Sequence, residues 1–340
     1  MRFQHTLRHG AIGVLSFFVV MLSIMVLPAA AQTSSDTTPE ATWEATEAVA
    51  PAPLTQVWQT TFTPETALSS PGDIAIDSDG NVYVSTQSMN TVKKFDHDGN
   101  FIMEWGGHGK GDGQFSLSLG IGVDADNNVY VTDFYNIRIQ KFDSDGNFVK
   151  LWPNQLTTSP AFLAVDTKGN VYVNEFPPHT KNYVQKFDSD GNLLVEWGNE
   201  NKIFAGRTED IAVDPDGNLY VCDPLKHRVQ KLDPDGNLIA TIGADASRDG
   251  NGLFDDPFSV SVDGDGNVYI LDSHFLQKFD WQGNFVTQWS TAVGTDLEKA
   301  SNVAVDGMGN IYVFARGDVT TPSGTQTRVP VLKKFAQDEG

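Results

Sequence analysis

Apolar and polar residues alternate in short runs over most of the chain, and one of these runs recurs six times. In each copy a tyrosine stands between two aliphatic residues, shortly after an asparagine. The six tyrosines are Tyr83, Tyr130, Tyr172, Tyr220, Tyr269 and Tyr312. They are 47, 42, 48, 49 and 43 residues apart. This period is typical of the blades of a β-propeller.

Each repeat contains four such runs, and their patterns predict four short strands. The first run is apolar with a small central residue, and the second contains the tyrosine. The third alternates with a period of two, and the fourth ends on an aromatic residue in most copies. The small residues are Ala75, Gly122, Ala164, Ala212, Ser261 and Ala304. The fourth runs close on Trp105, Trp152, Trp197 and Trp289, with Ile242 as the one substitute. Small residues at one repeated position suit the crowded inner strands around an axis.

Eleven turns of the type Asp-x-x-Gly-Asn, or a close variant, separate the first run from the second and the third from the fourth. Asp-Gly between alternating runs predicts a β-hairpin, because glycine adopts positive φ without penalty. The turns superficially resemble a calcium loop, but an EF-hand loop ends on a glutamate at its twelfth position. Counted from Asp143, that position is Asn154. Each repeat is therefore predicted to be a four-stranded meander, which is one propeller blade.

The sixth repeat ends after its third run, at residues 332–335, and a matching fourth run stands at the other end of the folded region. Residues 54–58 read Leu-Thr-Gln-Val-Trp and resemble residues 285–289, Phe-Val-Thr-Gln-Trp. We predict an all-β, six-bladed propeller of four-stranded antiparallel blades. Residues 54–60 should complete the last blade and close the ring, which leaves no large open edge.

The first 53 residues are predicted to lie outside the propeller. Residues 1–31 have a basic start, an apolar stretch from Ala11 to Leu27 and an Ala-Ala-Ala site, as a cleaved signal peptide does. The alternative is an uncleaved anchor, since the apolar stretch is just long enough to span a bilayer. Residues 32–53 are a Ser/Thr/Pro/Ala/Glu mixture and should form a disordered linker. The predicted domain is thus 54–340, in a secreted or otherwise extracytoplasmic protein, in the periplasm or at the cell surface.

Charge and composition restrict the partners. The chain has 23 basic and 44 acidic residues, a formal net charge of −21, and no cluster of lysines or arginines. Because nucleic-acid binding requires basic patches, no nucleic acid is expected to bind. The single cysteine, Cys222, excludes an internal disulfide and is expected to be a small buried hydrophobe. We expect a monomer that meets a membrane only through an uncleaved leader.

The second repeat carries a family resemblance. Residues 105–115 read W-G-G-H-G-K-G-D-G-Q-F, residues 120–124 read G-I-G-V-D, and residues 131–142 read V-T-D-F-Y-N-I-R-I-Q-K-F. This segment resembles an NHL repeat, and the other repeats keep the Asp-x-x-Gly-Asn and Lys-Phe-Asp elements. The resemblance implies the six-bladed fold over residues 54–340. Members of the family include RNA-binding domains, extracellular sensor domains of bacterial receptor kinases, and a lyase that matures amidated peptides.

The resemblance alone does not select among these functions. The RNA-binding members use a basic face, which this acidic chain lacks. The lyase holds zinc through histidines that precede the first strand of several blades. The matching positions are Gly72, Leu119, Ala161, Glu209, Phe258 and Ser301, and none of them is histidine. Lyase activity is therefore not implied for this chain.

The predicted blades have two ends. One end carries only the short turns and should leave little room for a site; we call it the turn face. The opposite end, the variable-loop face, carries residues 106–119, 174–183, 198–209, 244–258 and 314–330. Loops on a rigid scaffold are the usual position of binding sites. The ligand-binding candidates there are Tyr135, Arg138, Glu175, His179, Arg207, His227, Arg228, His274 and Arg316.

Acids follow the second strand in four blades, as Asp133, Glu175, Asp223 and Asp272. Capping of their own loops is the expected role, and a weak metal site at Asp133, Asp223 and Asp272 is the alternative. Arg138 and Arg228 follow two of these acids by five residues, which favours ion pairs within a blade over ligand capture. Arg207 and Arg316 have no obvious partner in the sequence and are better ligand candidates.

No cofactor is predicted. Of the mature histidines, His97 falls in a hairpin, and His108, His179, His227 and His274 fall on the variable-loop face. No spacing among them suggests the converging ligands that zinc requires. Calcium or zinc therefore remains an alternative, and weak calcium affinity from the many acids is a further one. No G-x-S-x-G or P-loop motif is present.

Two functions are compatible with this sequence. The first is a non-enzymatic binding or sensing scaffold that recognises an extracellular protein, peptide or glycan through the variable-loop face. The second is an extracytoplasmic, metal-assisted enzyme of lactonase, esterase or lyase type acting at the propeller mouth. Export and the lack of a catalytic motif favour the first, whereas the loop histidines and the acids motivate the second.

Overall fold

The computed structural model describes residues 53–60, 67–152, 156, 158–176, 184–198, 203–204, 206–243, 250–320 and 326–337. The predicted signal peptide and all but the last residue of the predicted linker lie outside these residues. In the described part of the chain, no helix is long and apolar enough to cross a membrane.

Within these described ranges, twenty-four strands form six antiparallel sheets of four strands each, as the repeats predicted. Blade 1 comprises β2 (Pro71–Ile76), β3 (Val82–Thr86), β4 (Thr91–Phe95) and β5 (Phe101–Gly106). Blade 2 comprises β6 (Ser118–Val123), β7 (Val129–Asp133), β8 (Arg138–Phe142) and β9 (Phe148–Trp152). Blade 3 comprises β10 (Ser159–Val165), β11 (Val171–Phe176), β12 (Val184–Phe187) and β13 (Leu193–Trp197).

The remaining blades follow the same order from the inside outwards. Blade 4 comprises β14 (Ile211–Val213), β15 (Leu219–Asp223), β16 (Arg228–Leu232) and β17 (Leu238–Gly243). Blade 5 comprises β18 (Ser259–Val262), β19 (Val268–Leu271), β20 (Phe275–Phe279) and β21 (Phe285–Ser290). Blade 6 comprises β22 (Asn302–Val305), β23 (Ile311–Thr320), β24 (Gln326–Gln337) and β1 (Leu54–Gln59). Two short 3₁₀ helices, Phe134–Asn136 and Pro224–Lys226, lie between the second and third strands of blades 2 and 4.

Strand β1 closes the ring, which confirms the predicted joint. It pairs antiparallel with β24, from Leu54 opposite Gln337 to Gln59 opposite Lys333. The backbone N–H of Thr60 then donates to the carbonyl of Leu332 over 2.9 Å. Contacts between the first strands of successive blades, including β22 with β2, complete the circle. The first and last parts of the propeller are thus held in one sheet.

The core is divided among the six junctions between neighbouring blades. One cluster of buried apolar residues lies in each junction, and each cluster combines side chains from both blades. The small residues of the first strands belong to this layer, as the sequence predicted. A Cβ atom on Gly122 would come within 2.5 Å of Leu163, on the next blade. Cys222 is fully buried between blades 4 and 5, as expected.

The eleven turns use the aspartate that begins each of them. In the turn 143–147, Oδ1 of Asp143 accepts the N–H groups of Asp145 at 3.0 Å and Asn147 at 2.8 Å, and Oδ2 accepts Nδ2 of Asn147. The other ten turns repeat these bonds. Because both carboxylate oxygens bind the turn itself, the hairpin interpretation explains the aspartates.

The repeated tyrosine belongs to a second local unit. Its hydroxyl donates to the aspartate of the turn between the first and second strands of its own blade, as Tyr130 does to Asp124 over 3.0 Å. The amine of a lysine on the third strand lies over the tyrosine ring, as Lys141 does at 4.8 Å from the ring centre. All six blades repeat both contacts. These structural contacts are sufficient to explain why the tyrosine, the aspartate and the lysine recur in every repeat.

Candidate functional site

The variable-loop face is braced by the ion pair that the spacing of Asp133 and Arg138 predicted. Nε of Arg138 donates to Oδ2 of Asp133 over 2.6 Å. Its other nitrogens donate to the carbonyl oxygens of Lys110, Gly111 and Gln114 at 2.8–3.0 Å. Arg138 therefore clamps the connection between blades 1 and 2.

Blade 4 repeats this arrangement. Nε of Arg228 donates to Oδ2 of Asp223 over 3.1 Å, and Nη2 donates to the carbonyl of Ile203. The guanidinium again joins its own blade to the preceding connection. Arg138 and Arg228 thus have a bracing role that the geometry explains in full.

The remaining acids after the second strands bind their own surroundings. Oδ1 of Asp272 accepts the N–H groups of His274 and Phe275, each at 2.7 Å. Oε2 of Glu175 accepts the N–H of Thr158 at 3.0 Å. Both acids are almost fully buried. Loop capping, the role expected from the sequence, therefore describes these bonds.

One position of the first strands carries mostly polar side chains, and these form a belt near the axis, close to the variable-loop face. The position lies two residues before the small residue of each first strand. In chain order these residues are Asp73, Gly120, Phe162, Asp210, Ser259 and Asn302. Four of the six are polar and buried, although the strands around them are apolar. The belt could therefore have been found from the repeat alignment, but it was not among the sequence candidates.

The polar members of the belt form bonds across the junctions. Oδ2 of Asp210 accepts Ser259 Oγ at 2.8 Å and the N–H of Val260 at 3.1 Å. Ser259 Oγ in turn accepts the N–H of Val303 at 3.2 Å. Blades 4, 5 and 6 are thus joined in series. The Thr132 hydroxyl, on a second strand, joins blade 2 to blade 3 by donating to the carbonyl of Ala161 over 2.7 Å.

Asp73 and Asp210 are the two acids of the belt, and they belong to blades three apart in a ring of six. Burial raises the pKa of Asp73 to about 7, against the lowering effect of bonds from Ile121, Ile74 and Asn302. Burial, and then the negative charge of Asp73, raise the pKa of Asp210 well above its usual range. Strongly shifted carboxyl groups near the mouth of a fold mark a candidate functional site.

The mouth above Asp210 brings together residues from blades 3, 4 and 5. Arg207 pairs with Glu209 at 2.8 Å, and its guanidinium lies 4.5 Å from the centre of the Phe176 ring. Arg207 therefore has a partner, which the sequence did not reveal. Burial raises the pKa of Glu209 despite the charge of Arg207. Glu209 is next to Asp210 in the chain, so the surface cluster continues into the buried belt.

Asp256 extends this acidic mouth towards blade 5. Partial desolvation and the negative charge of Asp255 raise the pKa of Asp256, whereas the charges of His227 and Arg207 oppose this shift. His227 Nδ1 contacts the carbonyl oxygen of Asp255. The structure thus brings two of the sequence candidates, Arg207 and His227, to one acid-rich region. Glu209 and Asp256, which form its negative charge, were not candidates.

The other sequence candidates lie apart from this mouth. Tyr135 is 67% exposed in the short helix of blade 2, and its ring meets Phe134 edge-on. His274 is exposed after β19 and contacts the Phe275 ring. Arg316 is exposed on β23, where its N–H donates to the carbonyl of Glu298. His179 lies outside the described residues. Within the described ranges, no three His, Cys, Asp or Glu side chains form a group suited to a metal ion.

Comparison with known proteins supports the fold. The family model described as the NHL repeat matches residues 119–142, within blade 2. No curated protein matches the chain.

Three solved structures illustrate the similarity. A streptogramin B lyase is 13% identical with a TM-score of 0.57, over 83% of this chain and 97% of that one. A virginiamycin B lyase from Staphylococcus aureus is 12% identical with a TM-score of 0.56, over 82% and 98%. A gluconolactonase from Xanthomonas campestris is 17% identical with a TM-score of 0.57, over 88% and 98%. At such identities the similarity establishes the fold alone. The chain is therefore a six-bladed β-propeller with one repeat, in blade 2, that matches the NHL family model, and its other five blades share the strand pattern of that repeat.

Proposed function

We propose that this protein is exported and acts as a binding or sensing scaffold for an extracellular protein, peptide or glycan. The observation that carries the proposal is the acidic mouth on the variable-loop face. Burial raises the pKa of both Glu209 and Asp256, although the charge of Arg207 opposes the shift, so their charged forms are poorly solvated there. A ligand group that carries positive charge, or that donates several hydrogen bonds, would stabilise these carboxylates.

The neighbouring groups suit recognition of such a ligand. Phe176 supplies a ring face that Arg207 already covers by a cation–π contact. A cationic ligand could displace Arg207 from Phe176 and Glu209 and take its place. Because the side chain of Arg207 is 53% exposed, this exchange requires little rearrangement of the blades.

The test uses acetylated, amidated tri-lysine as a probe and calorimetric titration as the measurement. The variants Glu209→Gln and Asp256→Asn should each weaken binding at least fivefold at low salt, since each removes one charge from the mouth. Asp145→Asn, in an exposed turn on the opposite face, is the matched control and should leave the affinity unchanged. Equal affinities for all four proteins would contradict the proposal.

A second candidate is an enzyme acting at the polar belt near the axis, and a specific observation favours it. Asp73 has a pKa of about 7, which suits proton transfer near neutral pH. The similar structures named above include lyases and a gluconolactonase. Turnover of gluconolactone and of streptogramin B should be assayed with wild type and Asp73→Asn, alongside elemental analysis for zinc and calcium. Turnover that is equal in both proteins would exclude a role for Asp73.

A further inference from the structure

The outer parts of four junctions are filled by an indole ring from the fourth strand of the preceding blade. Each ring packs beneath the glycine of the next blade's outer turn. The closest pairs are Trp58 with Gly99, Trp105 with Gly146, Trp152 with Gly191 and Trp197 with Gly236. A Cβ atom on any of these glycines would come within 2.8 Å of the indole. The same four indoles also meet the repeated tyrosines of their own blades, at 5.5–6.2 Å between ring centres.

The junction between blades 4 and 5 lacks this ring, because Ile242 stands where the tryptophan would be. A cavity of about 170 Å³ occurs there. Its walls include Tyr220, Lys231, Ile242, Trp281, Gln282 and Gly283. They include the repeated tyrosine and the outer turn that would otherwise contact an indole. The groove thus keeps the frame of an indole site and lacks the indole.

The groove also presents an exposed aromatic surface. Trp281 is the second residue of the outer turn 280–284 and is 63% exposed. The residues at the same turn position in blades 1 to 4 are His97, Ser144, Ser189 and Pro234. An exposed indole beside this cavity offers a second ring face to a bound aromatic group. The expectation that the turn face leaves little room for a site is therefore wrong at this junction.

The cavity has the size and acceptors that an aromatic ring requires. An engineered cavity of about 150 Å³ is large enough to bind benzene. In two of the four filled grooves the indole N–H is bound by the outer turn: Trp58 Nε1 donates to the carbonyl of His97 over 2.9 Å and Trp197 Nε1 to that of Asp235 over 3.3 Å. Trp105 and Trp152 pack in their grooves without such a bond. The corresponding carbonyls in the outer turn of blade 5 belong to Trp281 and Gln282. That turn keeps the same closing bonds, so its carbonyls hold equivalent positions.

The charge of the turns around the groove indicates which residues should flank the aromatic ring of the ligand. The four turns of blades 4 and 5, at 214–218, 233–237, 263–267 and 280–284, contain seven aspartates and no lysine or arginine. A basic segment is therefore complementary to this side of the groove. Trp43, in the linker of the same chain, is a poor occupant because residues 32–53 contain four acids and no base. A second copy, with a net charge of −21, is disfavoured for the same reason.

We propose that the groove between blades 4 and 5 binds a tryptophan side chain flanked by basic residues, presented by a partner peptide. The indole takes the place that a fourth-strand tryptophan fills in the other grooves, between Tyr220 and the turn 280–284. The basic flanks lie along the aspartates of the neighbouring turns. This site is separate from the mouth on the variable-loop face, so either can exist without the other.

The experiment titrates the purified protein with three acetylated, amidated tripeptides, Lys-Trp-Lys, Lys-Ala-Lys and Glu-Trp-Glu. Wild type should bind the first at least tenfold more tightly than either of the others. Ile242→Trp supplies the missing ring from within the chain and should weaken that binding at least tenfold. Trp281→Ala should weaken it at least threefold, whereas Ser189→Ala, at the same turn position in blade 3, should leave it unchanged.

Thermal unfolding separates loss of binding from loss of structure. Ile242→Trp should unfold at the wild-type temperature or above it, since it fills an existing cavity. If it unfolds earlier, Trp281→Ala, which alters an exposed side chain, still decides between the outcomes. Retention of wild-type affinity by the folded Ile242→Trp or by Trp281→Ala would overturn the proposal. So would binding that emerges only after Trp43→Phe, because the linker would then be the occupant.

Discussion

Asn302 donates from Nδ2 to Oδ1 of Asp73 over 3.1 Å, and this bond joins the innermost strands of the last and first blades. The two residues are 229 positions apart in the chain. The other oxygen of Asp73 accepts the N–H of Ile121 on blade 2 over 3.1 Å. One buried carboxyl group thus bridges three blades. Its protonation should therefore influence the stability of the whole ring.

The raised pKa of Asp73 determines the direction in which the stability of the folded protein changes with pH. In the unfolded chain an aspartate has a pKa of about 3.9, and in the folded protein that of Asp73 is about 7. Between these values the folded state holds more protons, so stability must fall as pH rises through this window. Calorimetric unfolding of wild type should therefore show a temperature that declines from about pH 4 to about pH 7.

Asp73→Asn should flatten this decline, because the side chain no longer titrates and no longer raises the pKa of Asp210. Asp145→Asn, in an exposed turn, is the control and should keep the wild-type slope. Turn aspartates such as Asp143 do not contribute to the decline in this pH window, because the bond from the side chain of Asn147 lowers the pKa of Asp143. Their contribution is lost only at more acidic pH. Parallel profiles for wild type and Asp73→Asn would refute this assignment.

The blades, the turns and the closing strand could be predicted from the sequence because they depend on local patterns. Alternation, Asp-Gly turns and a repeat count are sufficient to place them. The burial of Asp73 and Asp210 could not be predicted in this way, because it results from six first strands meeting around one axis. The partner of Arg207 depends on loop conformation in the same way. The substitution at Ile242 was visible in the repeat, but the cavity depends on how blade 5 packs against blade 4.

The closing strand offers a direct test of the ring. A chain that starts at Leu54 and one that starts after Thr60 differ only by β1 and the residue that follows it. The shorter chain loses the pairing with β24 and the contact of Trp58 with Tyr312 at 6.0 Å between ring centres. We expect a loss of at least about 3 kcal/mol, the scale of removing one large aromatic side chain. Denaturant unfolding gives the measurement, and equal midpoints would show that closure contributes nothing.

The bonds that Arg138 makes to the connection between blades 1 and 2 should depend on the planar guanidinium group. Lysine at this position keeps the charge, but it cannot bind Asp133 and three carbonyl groups at once. Arg138→Lys should therefore cost about 1.5–3 kcal/mol and make the connection 107–117 sensitive to proteases. Arg207→Lys, at a side chain that is 53% exposed, is the matched control and should have little effect on stability. If both variants are equally stable and equally resistant, the clamp has no energetic importance.

The packing of Trp197 beneath Gly236 can be separated from the turn conformation by a pair of glycine variants. Gly169 and Gly236 both have positive φ, at 78° and 88°, and both are the fourth residue of a turn. A Cβ atom on Gly169 would meet only Ser189 at 3.5 Å, whereas one on Gly236 would come within 1.6 Å of Trp197. Gly169→Ala should therefore cost about 1–2 kcal/mol from the backbone alone, and Gly236→Ala should cost a further 1–3 kcal/mol or so from the clash.

Removing the indole at position 197 provides the control for the difference between the two glycine variants. Trp197→Ile reproduces the residue found at position 242 and removes the ring that the new Cβ atom would strike. In that background Gly236→Ala should cost no more than Gly169→Ala does in wild type, although Trp197→Ile itself lowers stability. The measurement is a double-mutant cycle in denaturant, in which neighbouring residues reveal their contact as a coupling energy. A coupling energy of zero would mean that the indole of Trp197 moves aside without cost. The four filled grooves would then not hold their indoles in a fixed position.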